Sequence, residues 1–364
     1  MNNLKTQGFV LLDTDVAALN NSGKDAQSAY DNAVATKKIT KGRSTHVYVS
    51  GQAWRYWWRQ TLQKDHNWAM SPVERTKDVA FTEANPLKYA DDDVFGYMRA
   101  TKDVDVDPAT DQPKLDKKGK PQMVDATVTR VSPLKNSALI SVSSVQTAHS
   151  WSVMARMDGN PVPYVKEEYG TVLKGMFSID LQQVGTFATY NRTGYKNLTA
   201  GLQAQALKDG GELVPDEGMR NPKGEPQQLV RVARETRLHR VQDTLRALKT
   251  LTGGAMQTNN YTDVTPKFIV LATLQSGNHP FGHIVRNGGL FGGEVVFDKE
   301  ALAEALRDYA DQLTGTVYIG RRRGFMEEEF ADMGEWAKDF PNVKLGSVVE
   351  AIEGYCKELE QWMP

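Results

Sequence analysis

Three side chains set the chemistry open to this chain. Gln52, Arg55 and Arg59 follow a serine at position 50. At 100° per residue on a helix they share one face. Two guanidiniums and an amide, one turn apart and just inside a helix N-terminus, suit an oxyanion. The free N–H groups and positive dipole end bind anions, and the arginines add full charge. The same spacing also describes the solvated side of an amphipathic helix. Pattern alone leaves both readings open.

Other reactive types are scattered. The histidines stand at 46, 66, 149, 239, 279 and 283. His46, beside a lysine-rich stretch, is the one candidate general base. His279 and His283 are close in sequence, but Pro280 between them breaks the helix that a metal pair would need. Asp91-Asp92-Asp93 reads as an N-cap with two acids favouring the helix dipole rather than as a magnesium site. A single cysteine, Cys356, excludes an internal disulfide framework and a multi-cysteine zinc site. Neither catalytic residues nor a metal or cofactor are expected.

The elements that must position Gln52, Arg55 and Arg59 are legible. A β-branched and aromatic run, Val47-Tyr48-Val49, ends at Ser50, which caps a helix running through about Leu62. Trp54, Trp57 and Trp58 fall on the opposite face and are expected to be buried. Gly8–Asp13 is apolar on both faces, a central strand. Residues 24–46 form a polar loop with Lys37, Lys38, Lys41 and Arg43. In Ser137–Ser143, Ala138, Ile140 and Val142 share one face, with Leu139 and the serines on the other. Phe177, Ile179 and Leu181 alternate in the next strand. Between them, Asp158-Gly159 is a hairpin turn. The hairpin carries Trp151, Val153, Met154 and Met157. It either packs on its own subunit or projects into a neighbour or between nucleobases. Leu238, Val241, Leu245 and Leu248 mark an amphipathic helix, whose arginines at 231, 234, 237 and 240 walk round its outer face. It stops at Gly253-Gly254, before an apolar strand over Pro266–Thr273. Strand, helix, strand, strand, helix, strand is the ferredoxin-like order of an RRM-type fold. Lys174-Gly175-Met176-Phe177 only partly echoes the RRM aromatic motif. Contact through the first helix and flanking loops is therefore expected, not base stacking on the sheet.

The chain of 364 residues is 40% hydrophobic and 24% charged, with net charge −1. That describes a globular protein with an ample core and no apolar run able to span a membrane. The N-terminus lacks signal-peptide features, and a single cysteine makes a reducing cytoplasm the expected setting. Charge is uneven. Residues 1–59 hold eight Lys/Arg against four Asp/Glu, residues 220–250 eight against three, and residues 291–364 eight against sixteen. This fits one polyanion-binding surface, and equally a head-to-tail oligomer.

Ser50-x-Gln52-x-x-Arg55-x-x-x-Arg59 after a strand resembles the first-helix signature of the Cas-seven (DevR-like) family, the backbone subunits of type I CRISPR Cascade complexes. Leu19-Asn20-Asn21 resembles the family's loop after its first strand. Asp93-Val-Phe-Gly-Tyr-Met98 is similar to a structural motif. Arg130-Val-Ser-Pro-Leu-Lys135 is similar to the entry to the second core strand, and Leu251-Thr-Gly-Gly-Ala255 to the last core step. The likeness is greatest to subtype I-B. It implies an α+β, ferredoxin-like (RRM-type) βαββαβ palm over 1–59, 125–190 and 229–275, with large insertions and a C-terminal α/β extension at 276–364. The insertions would be a finger-like region at 60–124, a thumb hairpin at 145–170 and a polar segment at 191–228. It implies a non-catalytic subunit that binds the sugar-phosphate backbone of guide crRNA and stacks head-to-tail along it with other Cascade subunits. In that role it supports pairing with target DNA in prokaryotic antiviral defence. The implied nucleic-acid-binding residues are Asn20, Asn21, Lys37, Lys38, Arg43, Ser50, Gln52, Arg55, Arg59, Arg130, Lys135, Gly253, Gly254 and Gln257. Trp151, Val153, Met154 and Met157 would form the thumb wedge. The alternatives are a repeat-RNA endoribonuclease and a stand-alone RNA-binding regulator of the same fold.

Overall fold

A computed structural model describes all residues except 1–2, 25–32, 77–78, 106, 108–111, 155, 157, 192–195, 289–294 and 364. It is a mixed α+β protein with one large mixed sheet, and it divides into two compact units. The first comprises 1–66, 135–178 and 244–360, and the second 67–134, 179–243 and 361–364. Among the described residues no helix is long and apolar enough to cross a membrane.

The first unit is built on β1 (Lys5–Ala17), β2 (Ser44–Val49), α1 (Gly51–Asp65), β3 (Leu139–Ser141), β4 (Ala148–Met154) and β5 (Val162–Asp180). After α2 (Arg234–Arg246), whose residues up to 243 belong to the second unit, the first unit continues with β6 (Phe268–Leu274), α3 (Lys299–Asp308), β7 (Leu313–Arg321), β8 (Val343–Gly346) and α4 (Val348–Trp362). The spatial strand order is β8-β7-β6-β1-β5-β3-β2, closed by the edge strand Lys38–Lys41. β1 pairs antiparallel with β6 from Lys5↔Leu274 to Leu11↔Phe268. Its central place follows from a run buried on both faces, as expected of Gly8–Asp13.

Both faces of the sheet are covered. On one, Trp54 and Trp58 of α1 stack at 5.4 Å and meet Phe177 of β5 edge-on at 6.4 and 5.2 Å. Trp58 Nε1 donates to the Thr244 carbonyl at 2.7 Å, so the indole N–H is satisfied in the core. On the other, Phe9, Leu11, Phe268 and Val270 pack with Phe281, Phe297, Leu302 and Leu306 from the C-terminal extension.

Two sequence expectations change here. The stretch 24–46 is not a loop in its described part. Ala33–Thr36, Lys38–Lys41 and Ser44–Val49 are strands, the last two paired from Lys38↔Val47 to Lys41↔Ser44 around Gly42. Polar edge strands carry no hydrophobic alternation to betray them. In 137–143 the face that carries the serines is also the more buried one. Leu139, Ser141 and Ser143 are buried, while Ala138, Ile140 and Val142 are half-buried, because Leu139 must meet Trp54 across Gly175.

The second unit holds an antiparallel ribbon, Tyr97–Val104 with Met123–Arg130, and a three-stranded sheet of Thr186–Ala188, Pro226–Arg231 and Glu212–Arg220. The helix Ala200–Lys208 is capped by Thr199. Its buried cluster is Phe187, Leu198, Ala206 and Val230. The three aspartates do not cap the short helix Ala90–Phe95, whose N-cap is Tyr89. All three lie in its first turn, as the dipole reading expects, and they are buried acceptors as well. Asp91 takes Ser71 N at 3.0 Å and Asp92 takes Asn85 N at 2.9 Å. Asp93 takes Arg130 Nη2 at 2.5 Å, Arg240 Nη1 at 2.6 Å and Gly185 N at 2.8 Å. The arginines of α2 are likewise not all on an outer face: Arg237 and Arg240 are buried. Burial, reinforced by the charge of Arg231, lowers the Arg237 pKa to about 10.

Candidate nucleic-acid interface

Ser50 caps α1 as its sequence requires, its hydroxyl accepting from Ala53 N at 3.3 Å. Asn20 fixes the approach, because its side-chain oxygen accepts from Ser50 N at 2.9 Å. Gln52 is exposed at the first turn, and Trp54, Trp57 and Trp58 are buried on the far side. Arg55 and Arg59 lie half-buried between. Burial, then repulsion from Arg59, lowers the Arg55 pKa to about 10, so it stays cationic at neutral pH. Its Nη1 donates to Asn136 Oδ1 at 3.0 Å. Asn136 also donates to Gly51 O at 3.1 Å, tying the start of β3's segment to the first turn of α1. Sequence reading missed Asn136. Its only signal is its place directly after Lys135.

The Gly-Gly loop closes on the same end of α1. A Cβ on Gly253 would lie 2.2 Å from the Trp57 ring, and one on Gly254 would lie 2.4 Å from Leu19 Cδ2. The glycines thus admit the protein's own side chains. They do not cap the helix: α2 ends at Arg246 and tightens into a 3-10 turn over Ala247–Thr250. Ala255 N donates to Leu19 O at 2.9 Å. Gln257 turns inward, its amide donating to Gly253 O and, at 3.1 Å, to Thr262 O. Asn20, Ser50, Gln52, Arg55, Arg59, Gly253, Gly254 and Gln257 therefore belong to one neighbourhood.

The remaining candidates divide. Asn21 opens the strand Asn21–Lys24, Arg43 is exposed at the hairpin tip beside Gly42, and Lys135 is exposed. Lys37 uses its backbone to join Asn20 and Tyr48: N to Asn20 O at 2.9 Å, and O from Tyr48 N at 3.0 Å. Lys38 pairs with buried Glu167. That carboxyl also takes Thr36 N at 2.8 Å and Thr147 Oγ1 at 2.9 Å. Burial pushes the Glu167 pKa up, but the bonds from Lys38, Thr36 and Thr147 outweigh it and leave it lowered. Arg130 is elsewhere. It is buried in the second unit, bonded to Asp93, Thr186 O at 2.8 Å and Gln183 O at 2.5 Å, and lies over the Phe187 ring at 4.4 Å. It holds that unit together and has no open side to offer a phosphate.

β4 and β5 form the expected hairpin, paired from Ala148↔Glu168 to Met154↔Val162. Trp151 and Val153 are each 56% exposed. Met154 ends β4, and Met157 lies outside the described residues. Of the histidines, His46 is buried, with Nδ1 2.9 Å from Ser141 O. His279 Nε2 donates to Gly8 O at 2.8 Å, and burial lowers its pKa to about 4. Among the described residues no three His, Cys, Asp or Glu side chains are placed to hold a metal ion.

Residues 12–287, about three quarters of the chain, match the model of the family described as CRISPR-associated negative auto-regulator DevR/Csa2. No curated protein matches. Two solved structures are similar at low identity. A "CRISPR RNA-guided surveillance complex" chain is 9% identical with a TM-score of 0.43, over 92% of this chain and 99% of that one. A "CRISPR RNA-guided surveillance complex, pre-nicking" chain is 10% identical with a TM-score of 0.47, over 97% and 99%. With the family model running from within β1 to beyond β6, this chain belongs to the CRISPR-associated DevR/Csa2 family.

Proposed function

We propose that this chain is the backbone subunit of a type I CRISPR effector, or Cascade, that binds guide crRNA through its sugar-phosphate backbone. The observation that carries the reading is the N-terminal end of α1 in a member of this family. A capped helix start, an exposed amide and two adjacent guanidiniums stand beside a Gly-Gly loop that packs on the same helix. Arg55 and Arg59 neutralise phosphates, and Ser50, Gln52, Asn20 and Asn21 serve the ribose-phosphate chain. Arg43 and Lys135 add exposed charge, and Lys37 and Lys38 flank the site. Arg130 keeps an internal role. The chemistry is non-covalent. Specificity lies in guide–target pairing, and the protein reads backbone and shape.

In this reading β1, α1, β3, β5, α2 and β6 form a ferredoxin-like palm. The neighbour order β6-β1-β5-β3 supports it. The insertion at 60–124 acts as fingers. The β4–β5 hairpin is the thumb, with Trp151, Val153, Met154 and Met157 as its wedge against the guide–target duplex. Copies stack head-to-tail, an open heterologous assembly, with other Cascade subunits at the ends, in the prokaryotic cytoplasm. The test is expression alone, with and without a repeat-spacer RNA, followed by native mass and sizing of the bound RNA. A ladder of oligomers whose mass scales with the length of intact RNA is expected. A monomer that cuts the RNA at a fixed position would replace this reading with the endoribonuclease. A monomer that binds without stacking would replace it with the regulator.

A further inference from the structure

We infer that Tyr261 is a stacking platform for an unpaired base of the bound RNA. This rests on the RNA-binding reading above. Tyr261 is the most exposed large hydrophobic side chain described in the molecule, at 92%. An aromatic ring left in water has no part in the core that surrounds β6, which starts seven residues later.

The backbone that holds it out is costly. Tyr261 has φ +47°, in the left-handed region that a bulky side chain rarely occupies. Met256, five residues before it, has φ +58°. Such residues persist when their surroundings over-determine them, and they cluster where ligands bind. The surroundings here do so. Tyr261 N donates to Gln257 O at 2.9 Å, closing the short helix Gln257–Asn260. Gln257 is clamped to Gly253 O and Thr262 O. Asn260 accepts from Lys166 Nζ at 3.3 Å and donates to Glu168 Oε1 at 3.0 Å. Thr262 Oγ1 donates to Val16 O at 2.6 Å. Each neighbour's side chain is spent on fixing the loop, while the tyrosine ring is presented to solvent.

Position supplies the ligand. The bonds run without a gap from Tyr261 through Gln257 to Gly253, which packs on Trp57 of α1. They continue through Ala255 to Leu19, and so to Asn20 and the cap of α1. The other anchor is Lys166 and Glu168 at the base of the hairpin arm. The loop that presents Tyr261 is thus tied on one side to the helix that carries Arg55 and Arg59 and on the other to the hairpin arm. A flat ring in that place accepts any base, because every base has a π-face. That suits a protein whose guide changes sequence.

The test uses full-length protein, a single-stranded repeat-spacer RNA carrying 2-aminopurine at successive positions, and the variants Tyr261→Phe, Tyr261→Leu and Tyr261→Asn. Asparagine tolerates the left-handed backbone, so that variant removes the ring without adding strain. Wild type and Tyr261→Phe are expected to change 2-aminopurine fluorescence at particular positions. Tyr261→Leu and Tyr261→Asn should lose that signal and bind about tenfold more weakly, with an unchanged salt slope. Removing the base at those positions should equalise wild type and Tyr261→Asn. Equal affinity and signal in all variants, with RNA binding by wild type intact, would overturn the stacking role alone. So would a Tyr261→Asn protein that keeps its RNA affinity but no longer assembles with other copies, which would assign the ring to a protein contact. Wild-type protein with no affinity for RNA would overturn both this inference and the reading beneath it.

Discussion

Replacing Arg55 and Arg59 together by alanine should change the salt dependence of RNA binding, not only its strength. Each phosphate neutralised on a single strand contributes about 0.7 to the slope of log K against log salt, so losing two flattens it by about 1.4. Between about 50 and 200 mM salt, wild-type affinity should therefore fall roughly sevenfold further than that of the double variant. Both arginines count as full charges here, since even the depressed pKa of Arg55, about 10, leaves it protonated at neutral pH. Asn136→Ala is the companion. It removes the acceptor 3.0 Å from Arg55 Nη1 and the donor 3.1 Å from Gly51 O, but no charge. It should cost about 1 kcal/mol of binding, some fivefold, with the slope untouched. Fluorescence anisotropy across a salt series reads all three proteins. Near-UV circular dichroism checks that the Trp54–Trp58–Phe177 cluster is intact. A double variant with a wild-type slope and a wild-type spectrum would remove α1 from the polyanion surface.

Asp93→Ala should destabilise the second unit by about 3–5 kcal/mol, because it strands two buried guanidiniums. Urea unfolding checks this, and a change under 1 kcal/mol would mean that Arg130 and Arg240 repartner. Stability should also fall in mild acid through His279. Its folded pKa of about 4 lies below its unfolded value of 6.5, so the unfolded chain binds the proton first. The stabilisation is whole above pH 6.5 and drains away as pH drops towards 4, by up to about 3 kcal/mol. His279→Asn should flatten that limb of the profile. Deleting 150–166 should leave a folded protein that binds RNA but does not stack regularly along it. Normal assembly by native mass spectrometry would remove the hairpin from the contact between copies.

The candidate site was readable where its causes are local. A serine cap and three indoles on one face need only the helix period, so α1, its buried side and its polar side could be written down from 13 residues. β1, the hairpin and the apolar strand after Gly-Gly were legible for the same reason. What escaped depends on partners distant in sequence. Asp93 is a first-turn acid, as read, but its burial and its ion pair escaped because Arg240, its counter-ion, lies 147 positions away. Arg237 and Arg240 looked solvated because nothing in their own helix says that a buried carboxylate and the Val184 carbonyl wait for them. Arg130 sits in a motif whose neighbours, Ser132 and Leu134, are structural too. The glycines at 253 and 254 looked like the stop of a helix, but what requires them is room for Trp57 and Leu19, both distant in sequence.

β5 has a mechanical meaning beyond pairing. Its 19 residues run unbroken from the hairpin into the centre of the sheet, roughly 60 Å of contour. The arm is thus the outer end of the sheet's own strand, not a flap on a hinge. Force applied at Trp151 crosses the ladder to β5 and is resisted by hydrogen bonds to β3 and by the packing of Phe177 on α1. Such an arm behaves as a strut of fixed length. In a stack of identical copies, the distance from one strut to the next would be dictated by protein, and the nucleic acid, the softer material, would be made to conform to that pitch.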